Sequence, residues 1–222
     1  MAFTLGTELA ALWRALAVNE GAIQRVFGSV RAGMTPDEMQ EIFVAEVRRR
    51  GIDSPVSGAA FIVGEGGVGP KLRLKRPLRA DDLFGMDFQF ASDGFHSDIG
   101  RYAVFGEPSA DLLARHRRVL ETQEMVADAI RPGEPIRVAF EKCPAGWTIE
   151  AHRVGIEIHM DPMFSSVKTD NKLDVIVPVG IVMCVEIWKG LDGGIEDQFL
   201  VTEKGLERLT TLPRQLINLM TR

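Results

Sequence analysis

Six side chains in this sequence have types and spacings that could do chemistry. Asp87 lies in Gly85-Met86-Asp87-Phe88, an apolar stretch where an ionised carboxylate is costly unless it is paired or binds a metal. Asp98 follows eleven positions later, in His96-Ser97-Asp98-Ile99-Gly100-Arg101. Glu186 interrupts Val182-Met183-Cys184-Val185-Glu186-Ile187-Trp188 in the same way. Glu196 comes ten positions further on, across a Gly-rich turn, in Gly194-Ile195-Glu196-Asp197-Gln198-Phe199. His152 and His159 bracket Arg153-Val154-Gly155-Ile156-Glu157-Ile158. Two carboxylates on each of two strand pairs, with imidazole nearby, suit a dinuclear metal site, because carboxylates can bridge ions and imidazole binds first-row transition metals. Each residue alone has a plainer reading. Arg101 could neutralise Asp98, Arg153 could serve Glu186, and His159 could simply pack. Taken together, each would need its own buried partner, and one shared site is the more economical account.

These residues need elements to hold them. Leu9, Leu12, Leu16, Val18, Ile23 and Val26 recur at helical spacing, so residues 5–30 read as a long amphipathic helix. Thr35, Pro36 and Glu38 form a helix start with a capping box, and Gly51 closes the helix that follows. Residues 59–63 read as a strand, and 64–70 as a Gly-rich loop leading to a basic connector. Residues 82–90 and 94–105 read as strands joined by a turn at Ser92-Asp93-Gly94. That turn would let Asp87 and Asp98 converge. Residues 111–130 read as a helix and 135–143 as a shorter one. Residues 149–159, 174–188 and 194–202 read as strands, and a last helix is expected from about residue 203 to Pro213. Helices then strands, twice over, with no linker between, predicts one α+β domain.

Composition narrows the function. The chain has 222 residues, 26 Lys and Arg against 31 Asp and Glu, and a net charge of −5, so a nucleic-acid partner is not expected. Cys143 and Cys184 form no Cys-x-x-Cys pair and read as reduced thiols. The N-terminal stretch has no signal-peptide pattern, and no segment approaches the ~20 apolar residues of a membrane span. A cytoplasmic protein with no membrane partner is expected.

The motifs resemble those of the M24 metallopeptidases, the pita-bread fold of methionine aminopeptidase, prolidase, aminopeptidase P and creatinase. The resemblance rests on Met86-Asp87-Phe88, the block from Gly94 to Arg101, His152-x-x-Gly155-x-x-x-His159, Val185-Glu186, and the block from Ile195 to Thr202. It implies pseudo-two-fold halves of helices packed on a curved, mainly antiparallel sheet. It implies two divalent ions (manganese, cobalt, iron or zinc), with Asp87 chelating one, Asp98 and Glu196 bridging, and His152 and Glu186 completing the second. It also implies that Glu186 takes the proton of the bridging water and that His159 steadies substrate. The chain is expected to be a single catalytic domain over residues 1–222, without the N-terminal domain of creatinase-type relatives.

Three departures bear on the reaction. The loop 64–71 lacks the histidine that family aminopeptidases often carry there, Met160 follows His159 in place of an acid, and Ala151 precedes His152 in place of glycine. The leading expectation is an aminopeptidase or Xaa-Pro-type dipeptidase acting on a small peptide. The alternative is a metal-dependent lyase or amidinohydrolase acting on a small carboxylate-bearing molecule. A non-catalytic binding module is the third class. Lys71 is a candidate to attract a substrate carboxylate, unless it belongs with Arg73, Lys75 and Arg76 to a solvated basic stretch. A homodimer is expected, two-fold pairs being the commonest oligomers.

Overall fold

The computed structural model describes residues 7–64 and 73–219. Lys71 and most of the Gly-rich loop lie outside the described residues. Helix α1 spans Thr7–Phe27 and α2 spans Pro36–Arg49. The capping box of α2 forms: the Thr35 N–H donates to Glu38 Oε2 at 2.7 Å, and the Glu38 N–H donates to Thr35 Oγ1 at 3.3 Å. Such a cap contributes about 1 kcal/mol. Strands β1 (Ser57–Val63), β2 (Arg73–Leu74), β3 (Asp82–Ser92) and β4 (Phe95–Phe105) follow. Then come α3 (Ala110–Ala129), α4 (Arg137–Phe140), β5 (Thr148–Val154), β6 (Met160–Ser165), β7 (Val182–Trp188), β8 (Gly194–Thr202), β9 (Gly205–Arg208) and β10 (Ile217–Asn218).

The strands form one ten-stranded sheet in the order β2-β1-β3-β4-β8-β7-β5-β6, with β9 on β8 and β10 on β4. All pairs are antiparallel except β10 with β4. Alternation along β3 sends Phe84, Met86, Phe88 and Phe90 into a core shared with α1 and α2, where Phe43 stacks on Phe88 with ring centroids 4.0 Å apart. Burying one such ring contributes roughly 1.5–3 kcal/mol. A second core packs Val119 and Val126 of α3 against Met183, Val185 and Ile187 of β7. The alternate residues of these strands, Asp87 and Gln89 on β3 and Cys184 and Glu186 on β7, project from the opposite face of the sheet.

The two halves meet where β4 lies along β8, with Gly100 opposite Glu196. A Cβ on Gly100 would stand 3.0 Å from the Glu196 Cβ, so glycine is what lets the strands close here. Beside that point Arg101 is buried. It donates to the Glu196 carbonyl at 2.6 Å and to Asp197 Oδ1 at 2.5 Å. The plainer reading of Arg101 as the partner of Asp98 is thus set aside, since its partner is Asp197, 96 residues away. On the far side, Glu20 of α1 accepts from the Thr211 N–H and hydroxyl and the Leu212 N–H, which ties the C-terminal segment down.

Three segments differ from the expected elements. Residues 149–159 are not one strand: β5 stops at Val154, after a bulge between His152 and Arg153. The chain bends there because the Gly155 carbonyl accepts from the backbone N–H of His96, a remote anchor. Residues 174–181 are irregular, with Gly180 at φ 86, before β7 begins. The expected last helix is a hairpin. Glu203-Lys204 is a two-residue turn, and Leu206 of β9 sits opposite Val201 of β8.

Candidate metal centre

Asp87 and Asp98 come from the β3–β4 hairpin. Ser92 pairs with Phe95, leaving Asp93-Gly94 as a two-residue loop with φ of 50 and 83, the left-handed pair that a tight hairpin requires. Asp87 faces Gly100 and Asp98 faces Gln89 across the pair. The two acids are therefore diagonal neighbours on one face, as expected. Glu186 on β7 lies directly opposite Glu196 on β8. His152 on β5 lies opposite Cys184 on β7, and Glu150 lies opposite Glu186. Arg153 falls opposite Met183, and the residue across from Glu186 on β5 is a further carboxylate, Glu150.

At the centre, donor atoms of Asp98, His152, Cys184 and Glu196 all lie within 4.8 Å of one another, and all four residues are buried. His152 Nε2 is 3.8 Å from Asp98 Oδ2. Asp98 Oδ1, His152 Nε2 and Glu196 Oε2 are buried without a hydrogen-bond partner. Converging orphaned donors of this kind fit a divalent cation, since leaving each of them unpaired would cost about 1–3 kcal/mol. Electrostatics agrees. Burial, then Asp87, pushes the Asp98 carboxyl well above its ordinary range. Burial, then Asp98, Glu186 and Asp87, does the same to Glu196. Burial, then His159, lowers His152 to about 3, which leaves a neutral imidazole of the kind a metal takes.

His159 is exposed, in the bend before β6, with its ring 4.4 Å from that of His152. Burial of part of the ring lowers its pKa, and Glu150 opposes that shift. His96 helps set this arrangement: besides its N–H, its Nδ1 lies 3.2 Å from the Gly155 carbonyl oxygen.

Two residues were not among the six. Cys184, read as an ordinary thiol, donates from Sγ to the Asp98 carbonyl at 3.3 Å. Glu150 accepts from the Ser165 hydroxyl at 2.5 Å. The signal for both was strand alternation, since each stands two positions before a residue already singled out.

Comparison with known proteins agrees with this geometry. The model of metallopeptidase family M24 matches residues 10–203. The chain is 25% identical to the Xaa-Pro dipeptidase of Pyrococcus furiosus over 95% of its own length and 63% of that protein. It is 30% identical to a probable dipeptidase, PepE, of Mycobacterium bovis, covering 95% of this chain and 59% of that one. The structure superposes on an X-Pro aminopeptidase of Thermotoga maritima with a TM-score of 0.79 at 25% identity, over 96% of this chain and 63% of the other. It also superposes on the prolidase of Pyrococcus furiosus, with a TM-score of 0.72 at 22% identity, over 93% of this chain and 64% of that one. These neighbours share its pita-bread α+β architecture. The chain spans about three-fifths of the length of the relatives it matches. The buried Asp, His and Glu cluster, the fold around it and the match across most of the sequence place the chain in metallopeptidase family M24.

Proposed function

We propose that this chain is the catalytic domain of a dinuclear metallohydrolase, an aminopeptidase or Xaa-Pro-type dipeptidase that acts on small peptides. The observation that carries the reading is the convergence of orphaned, buried atoms from Asp98, His152 and Glu196, with Asp87 and Glu186 on the same face. In this reading Asp87, Asp98, His152, Glu186 and Glu196 hold two divalent ions, of manganese, cobalt, iron or zinc. Bound there, such ions supply Lewis acidity and a water acidified toward neutral pH. Glu186 accepts the proton of the attacking water. His159, exposed beside His152, donates to the substrate carbonyl. The close carboxylates repel one another without cations, so the site is electrostatically prepared for positive charge. Lys71 attracts the substrate's free carboxylate, which favours dipeptides over long chains. The names of the relatives, Xaa-Pro dipeptidase and dipeptidase, support a small peptide substrate.

A second reading, a lyase or amidinohydrolase on a small carboxylate-bearing molecule, is favoured by one feature, the lack of histidine in loop 64–71. Elemental analysis after reconstitution, followed by a panel of Met-peptides, Xaa-Pro dipeptides and small zwitterions, separates the two. Two ions per chain and cleavage of dipeptides are the expected results. Absence of metal affinity by calorimetry would overturn both readings. The protein is further proposed to be a homodimer, to be tested by light scattering.

A further inference from the structure

Glu150 is a carboxylate inside the site that the proposed ligand set does not use. It stands two residues before His152 on β5, on the same face, directly opposite Glu186 on β7 and Ser165 on β6. The Ser165 hydroxyl, itself fully buried, donates to Glu150 Oε1 at 2.5 Å and fixes one carboxylate oxygen. It therefore stands beside two members of the proposed ligand set, His152 along its own strand and Glu186 across the pair. Asp98, His152 and Glu196 are sealed, at 3% exposure or less, whereas Glu150 is only half-buried and keeps some solvent access. Among the described residues, no lysine or arginine forms an ion pair with it.

Like charges directly opposite on an antiparallel pair destabilise a sheet unless a cation lies near them. Two divalent ions would neutralise four carboxylates. Asp87, Asp98, Glu186, Glu196 and Glu150 make five, so one negative charge stays in excess at the edge of the site.

We infer that Glu150 is a specificity-determining residue whose carboxylate receives an ammonium group of the substrate. This rests on the metallohydrolase reading above. The ammonium could be the free α-amine of a dipeptide or the side-chain amine of a lysine at its first position, and the assay has an arm for each.

The test compares wild-type holoenzyme with Glu150→Gln and Glu150→Asp, each with metal content verified. The substrates are a dipeptide with a neutral first side chain, its analogue lacking the α-amine, and the lysine-first dipeptide. Glu150→Gln is expected to raise KM for the free-amine dipeptide roughly 10- to 100-fold, the loss of a hydrogen bond to a charged group. It should leave kcat and the desamino analogue unchanged, and Glu150→Asp should recover part of the loss. A KM change confined to the lysine-first dipeptide would assign the side-chain amine instead and keep the ammonium proposal. If wild type cleaves the dipeptide but Glu150→Gln changes KM equally with and without an amine, or leaves it unchanged, the proposal is overturned and the metallohydrolase reading stands. Loss of one ion in Glu150→Gln would overturn it in favour of a ligand role. Wild-type holoenzyme that cleaves no peptide in the panel would refute the underlying reading itself.

Discussion

Replacing Arg101 by leucine should destabilise the protein through the join between its halves. Arg101 and Asp197 are 3% and 0% exposed, and their side chains meet at 2.5 Å. The same guanidinium donates to the carbonyls of Glu196, at 2.6 Å, and Gly100, at 2.8 Å. Without it, Asp197 keeps the Thr210 hydroxyl at 2.5 Å and Arg214 Nε at 3.4 Å. Removing one partner of a buried pair costs about 3–5 kcal/mol, and the remaining arginine argues for the lower end, about 3 kcal/mol. For a chain of this length that corresponds to a melting temperature lower by roughly 6–12 °C. Urea unfolding of the metal-free protein measures the free energy directly, with an unchanged slope expected. The loss should depend on pH. Burial alone would raise the Asp197 pKa, but Arg101, Thr210 and Arg214 together hold it below its ordinary value. Its stabilising contribution is therefore present above the unfolded carboxylate value, near pH 4, and is lost as the pH falls through the folded one. The gap between wild type and variant should be widest near neutrality and narrow in acid. A loss below about 1 kcal/mol, the value of an exposed pair, would refute the reasoning.

Glu186→Gln should lower turnover roughly 100- to 10,000-fold with little change in substrate binding, as expected on losing a general base; an unchanged kcat at verified metal content would remove that role. Gly100→Ala places a Cβ 3.0 Å from the Glu196 Cβ and 3.3 Å from its Oε2, so it should cost about 1–3 kcal/mol and weaken manganese binding in a calorimetric titration. Burial and neighbouring acids raise the folded-state values of Asp98 and Glu196, so the folded apoprotein holds protons that the unfolded chain has released above about pH 4. Chelator-treated protein should therefore lose stability as the pH rises above that value, and added metal should reverse the trend; thermal melts across the pH range, with and without manganese, check both.

Local chemistry was legible in the sequence where neighbouring residues decide the outcome. Thr35, Pro36 and Glu38 specify a helix start through hydrogen bonds three residues apart, and Asp93-Gly94 supplies the two positive φ values of its hairpin. Isolated charges in apolar strands pointed to the site face because alternation is a local rule. The bend at Gly155 was hidden because its anchor, His96, is distant in sequence. Strand β9 reads as the start of a helix in the sequence because Leu206, Leu209 and Leu212 also fit a helical stripe, and only pairing with β8 decides between them. The partner of Arg101 lies across the seam, beyond any spacing rule. Glu150 and Cys184 were overlooked for another reason: neither is an oddity in its own stretch, and each matters through what stands across from it.

The join at Gly100 and Glu196 also bears on when the site comes into being. Asp87 and Asp98 belong to the first half, while His152, Glu186 and Glu196 belong to the second. Neither half holds the whole set. Contacts between residues so far apart in sequence pay their loop-closure entropy late, which slows folding. During vectorial synthesis the two aspartates emerge about a hundred residues before the glutamate that completes them. Until Glu196 arrives, the proposed ligand set is incomplete, so on that reading tight metal uptake should mark the docking of the two halves and serve as a clock for the last step of folding.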